Sequence, residues 1–121
     1  MPPLDPDDIQ RFANCWNEGR FFDAHETLEP RWIATRDRGL RGLIQLAAAL
    51  LHLSRGNIKG ARTTLERAIV RLRDPQNAAC PIDQTALAAF GTHVLERLET
   101  TPPDSLVKSR PRLEVGPPRA P

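Results

Sequence analysis

The chain has 121 residues, 17 basic and 15 acidic for a formal net charge of +2, with 40% hydrophobic side chains and two cysteines. That length suits one domain whose core needs no staples, and Cys15 and Cys80, in unlike contexts, fall short of a disulfide framework, so reduced thiols and a cytoplasmic location are expected. The acidic, proline-rich start lacks the basic-then-apolar order of a signal peptide, and the greasy run Leu43 to Leu53, broken by Gln45 and His52, is far shorter than the roughly 20 residues of a membrane span, so neither export nor membrane insertion is expected.

Helical periodicity runs from residue 5 to residue 99 and predicts an all-α fold, a compact bundle of about five helices arranged as hairpins over residues 1–101. The first helix opens with Asp5 as cap, Pro6 at its first position and Asp7 and Asp8 in the positive first turn. It carries Ile9, Phe12, Ala13 and Trp16 on one stripe and stops near Gly19, where glycine can adopt the left-handed conformation. A second helix from about Arg20 uses Phe21, Ala24, Leu28 and Trp32, and Pro30 is expected to kink or end it because proline lacks the amide proton. The third, Gly39 to Arg55, is apolar around about half of its circumference through Leu40, Leu43, Ile44, Leu46, Ala47, Leu50, Leu51 and Leu53, as only a central helix needs to be. Its remaining arc holds Arg41, Gln45, Ala48, His52 and Arg55. A fourth helix spans Ile58 to Arg73 before Asp74-Pro75, and a fifth starts near Pro81 to Asp83 with Leu87, Phe90, Val94 and Leu98 inward. Residues 102–121 hold six prolines and no periodic pattern, which predicts a disordered tail outside the domain.

Two patterns cross these boundaries. Gly19 to Glu29 aligns with Gly56 to Glu66 at an offset of 37, matching at five of eleven positions, which reads as helical-hairpin packing. Charge is also segregated: residues 31–73 carry ten bases against two acids, whereas residues 1–30 carry seven acids against two bases. Such a block can attract nucleic acid, but facing acidic segments of the same chain or of a second copy explains it better, so self-association or a protein partner is expected ahead of nucleic acid.

One polar constellation could carry chemistry. His25 lies in the sector of Phe21, Leu28 and Trp32, Glu29 sits four residues on, and Glu26 points further round the same helix. Gln45 and His52 stack on one arc of the third helix, and if that arc faces the second helix, His25, Glu29, Gln45 and His52 converge. Three uses follow. The set can be a hydrogen-bonded network between packed helices. It can be a zinc, manganese or iron site with His25, Glu29 and His52 as ligands and Glu26 as a catalytic base. It can be an acid/base pair in which Glu29 orients His25. Trp16 and Trp32 read as core or interface residues, His93 as surface, and Cys80 has no histidine near it in sequence to make it a nucleophile. No phosphate-cradling glycine loop, nucleophile elbow or paired Cys-x-x-Cys is present.

Asn17, Gly19, Phe22, Ala24-His25-Glu26, Glu29, Trp32, Gly42-Leu43-Ile44-Gln45, His52, Gly56-Asn57 and Gly60-Ala61 together resemble the pattern of a family of small bacterial and archaeal helical proteins, domain of unknown function 309. Arg41 stands where that family usually has glutamine. The resemblance implies an all-helical bundle and no established activity, and its polar positions coincide with the set His25, Glu26, Glu29, Gln45 and His52. A non-enzymatic binding or interaction module is therefore the leading expectation. A metal-dependent hydrolase is the alternative, and nucleic-acid binding through residues 31–73 comes third.

Overall fold

A computed structural model describes residues 6–74 and 81–115, and among them every regular element is a helix: α1 (Pro6–Asn17), α2 (Phe21–Thr35), α3 (Arg38–Ser54), α4 (Ile58–Leu72), α5 (Gln84–Glu96) and α6 (Pro103–Lys108). The all-α expectation holds, with a sixth, short helix added. No described helix is long and apolar enough to cross a membrane. Cys80 lies outside the described residues, and Cys15 is buried and unpaired.

Local chemistry accounts for the joints. Gly19 and Gly56 take φ of +78° and +74°, the left-handed region where a Cβ is penalised, and each closes one helix just before the next begins. The carboxylates of Asp37 and Asp83 and the amide of Asn57 accept the Leu40, Ala86 and Gly60 backbone N–H groups, capping α3, α5 and α4. The internal repeat has a structural counterpart: each positive-φ glycine leads into a helix whose first inward alanine, Ala24 or Ala61, is fully buried.

α3 is the axis. It packs against α2 on one side and α4 on the other, touches α5 and α6, and buries Leu40, Leu43, Ile44, Leu46, Ala47, Ala49, Leu50 and Leu53. A second focus sits where α1 meets α2 and α5. There the Trp16 ring lies 6.3, 6.0 and 6.1 Å from those of Phe12, Phe21 and Phe90, the last two edge-on.

Two expectations are corrected. α2 does not end at Pro30 but runs on to Thr35. Pro30 is exposed, and having no amide proton it leaves the Glu26 carbonyl without its helical donor. Residues 102–115, expected to be part of a disordered tail, form α6 and an extended segment that bury Leu106 and Leu113; residues 116–121 lie outside the described residues. Ordering this segment is worthwhile because it supplies donors to the last carbonyls of α1. Arg110 donates through Nε to the Trp16 carbonyl and through Nη2 to the Asn17 carbonyl, each at 3.0 Å. The Asn17 side chain pairs with both backbone groups of Leu113, at 2.8 and 2.7 Å, and the Trp16 indole N–H donates to the Pro111 carbonyl at 2.8 Å.

Candidate functional site

The outer surface of α2 gathers the first part of the polar set. Phe21, Ala24 and Leu28 point into the core, which turns Phe22, Glu26 and, further along, Ile33 outward and leaves His25 and Glu29 on the flank. His25 Nδ1 is 3.6 Å from Glu29 Oε2, too long for a hydrogen bond, and this buried nitrogen has no hydrogen-bond partner among the described residues. The Phe22 ring stacks beside the imidazole, with centroids 6.5 Å apart and planes 20° from parallel. His25, Glu26 and Glu29 each offer a ligand atom, and these atoms lie within 4.8 Å of one another.

Gln45 and His52 turn the other way. Gln45 is 7% exposed and its Oε1 accepts from Arg71 Nη1 of α4 at 3.2 Å. His52 Nδ1 meets Asn57 Nδ2 at 3.1 Å. Because Asn57 Oδ1 is already committed to capping Gly60 N–H, its NH2 must face His52, which makes Nδ1 the acceptor and puts the imidazole proton on Nε2. Gly60 is what admits this pair. A Cβ there would come within 2.6 Å of Asn57 Nδ2 and 2.9 Å of His52 Nδ1.

The set expected to converge therefore divides, with His25, Glu26 and Glu29 grouped on α2 and Gln45 and His52 engaged with α4. The physical reason is the width of the α3 arc. Gln45 and His52 lie on the side that the α3–α4 hairpin closes, and the nearest polar partners there belong to α4.

Sequence reasoning missed two features of this surface. Arg71 is one; the glycine turn at Gly56 makes α3 and α4 antiparallel, and following that hairpin back from Gly56 would have brought α4 opposite Gln45. The other is the cover over Trp32, which is partly buried and carries the guanidinium groups of Arg41 and Arg36 over its ring at 4.3 and 4.7 Å. Arg62, one of the bases of the middle segment, is tied to Glu99 at 2.8 Å. His93 is exposed, as expected.

The fold and this division of labour define a small protein of stacked helical hairpins whose polar motif positions serve both packing and a solvent-facing stripe. Residues 9–64, from the first turn of α1 into α4, match the model of the family described as Domain of unknown function (DUF309). No curated protein and no solved structure matches the chain.

Proposed function

We propose that the protein is a non-enzymatic helical interaction module that contacts a protein partner through the outer stripe of α2. The observation that carries this reading is the placement of Phe22 and Ile33, 54% and 53% exposed, on the same helix. Eleven residues at 100° each bring them back to nearly one azimuth, about 16 Å apart, with Glu26 and Glu29 on the stripe between them. Two large apolar groups held in register by a packed helix, with acids between, suit a partner that offers apolar contacts at both ends and a basic group in the middle. The rest of the motif supports the same reading, because Gln45, His52, Asn57 and Gly60 are occupied in holding α3 to α4.

The test is the double variant Phe22→Ser/Ile33→Ser. Both side chains face water, so melting is expected to stay within about 0.5 kcal/mol of the parent. Crosslinking in source cells is expected to join the parent to a partner, or to a second copy, that the variant no longer holds. Identical crosslinked species from parent and variant would sink the reading.

The group His25, Glu26 and Glu29 favours a second reading, a divalent-metal site with open positions for water, as the hydrolase alternative requires. Drawing three donors onto zinc at about 2.0–2.2 Å each needs a modest closing of side chains now up to 4.8 Å apart. Zinc titrated into the metal-free protein is expected, on this reading, to bind at one equivalent and to do so no longer in His25→Ala. Equal weak binding by parent and variant rejects it.

A further inference from the structure

The end of the α3–α4 hairpin remote from Gly56 gathers cations that the interaction stripe does not use. Arg38 and Arg41 lie on the first turn of α3, Arg67 and Arg71 on the last turns of α4, and Arg36 in the link before α3. Close packing brings the two helices together here. A Cβ on Gly42 would come within 2.9 Å of Leu72 Cγ and 3.2 Å of Arg71 Cβ, so the glycine lets α4 approach and sets the Arg71 stem directly against α3. The guanidinium is then aimed by two acceptors, Gln45 Oε1 at 3.2 Å and the Arg67 carbonyl at 3.4 Å. Arg41 is held in turn by the face of Trp32.

Two acids lie nearby, and both are engaged. Asp37 accepts the Leu40 N–H, and Asp74 pairs with Arg38 at 3.1 Å. Among the described residues no carboxylate is within ion-pair distance of Arg41, Arg67 or Arg71. The placement runs against electrostatics twice. The N-terminus of a helix is its positive end, yet α3 begins with Arg38 and Arg41. Burial, and then the repulsion of Arg41, Arg38 and Arg67, pulls the Arg71 guanidinium below its ordinary range. An anion seated among these side chains relieves both conflicts at once.

We infer that Arg38, Arg41, Arg67 and Arg71 form a binding site for a phosphate group. A single carboxylate satisfies one guanidinium fork, whereas a phosphomonoester offers three acceptor oxygens and up to two charges, which suits several guanidinium groups on two adjacent helices. A small phosphomonoester presents all three of these oxygens, and each phosphate of a nucleic-acid backbone presents two of them and one charge. The site is on a different part of the surface from the α2 stripe, so it stands or falls independently of the function proposed above.

The test is calorimetric titration of the full chain with inorganic phosphate, a nucleoside monophosphate and a short oligothymidylate, at ionic strength matched among the three with sodium chloride and repeated at several salt concentrations. Saturable binding at one site per chain is expected, weakened about tenfold or more in Arg71→Gln and in Arg67→Gln. Arg67 is exposed, so its variant removes charge without disturbing packing, and its melting curve is expected to match the parent's in chloride. Tighter binding of the monophosphate than of the oligonucleotide identifies a small ligand; tighter oligonucleotide binding with a steep log-affinity against log-salt slope identifies a nucleic-acid chain. The inference is overturned if phosphate gives no saturable heat beyond the chloride control, or if Arg71→Gln and Arg67→Gln both bind as the parent does.

Discussion

Trp16→Ala is expected to lower the unfolding free energy by about 3–5 kcal/mol, the usual cost of deleting a buried large aromatic, and so to leave little margin against the roughly 5–15 kcal/mol total of a small domain. Trp16 is fully buried and its ring is shared by Phe12 of α1, Phe21 of α2 and Phe90 of α5, so one deletion opens a cavity where three helices meet. It also removes the indole N–H that holds the Pro111 carbonyl. Trp16→Phe separates these contributions. It keeps an aromatic ring among the other three and loses the hydrogen bond, for an expected cost of about 1–2 kcal/mol, with hydrogen exchange quickening at the Leu113 amide. Urea unfolding followed by far-ultraviolet circular dichroism reads both variants, and an alanine variant within 1 kcal/mol of the parent, roughly the scatter of surface substitutions, would show that the aromatic cluster is not the organising contact.

Truncation after Thr101 is the second large effect. If residues beyond 101 were an unstructured tail, removing them would be neutral. The structure instead predicts a loss of roughly 2–4 kcal/mol, comparable to emptying a buried leucine position, because Leu106 and Leu113 leave the core and five hydrogen bonds to Trp16 and Asn17 disappear. Truncation after Val115 is the control and is expected to preserve those contacts. Equal melting of the full chain and the chain ending at Thr101 would show that α6 and the segment after it contribute nothing to stability.

The candidate site was legible in its members and not in its grouping. The i, i+4 spacing of His25 and Glu29 on one helix is a local property, and the two do lie side by side. Whether Gln45 and His52 join them depends on which neighbour covers that arc of α3, and periodicity carries no such information. The burial of Gln45 comes from Arg71, 26 positions later, and the orientation of His52 comes from an asparagine whose amide is fixed by its own capping bond. The arginine cover over Trp32, read as a core or interface residue, was hidden for a similar reason. Its apolar face is real, but arginines cover it where a fully interior position would have met leucines.

By itself the sequence determined α1 to α5, the glycine turn at Gly19 and the central place of α3, because a positive-φ glycine and the width of an apolar face are set by residues within one or two turns of each other. Pro30 and residues 102–115 were decided only by tertiary structure. Each was read from its own backbone chemistry, which disfavours a helix through proline and order in a proline-rich run. The deciding terms were elsewhere: for Pro30 a place on the exposed side of α2, and for residues 102–115 the end of α1, nearly a hundred residues earlier, whose Trp16 and Asn17 groups engage Arg110 and Leu113.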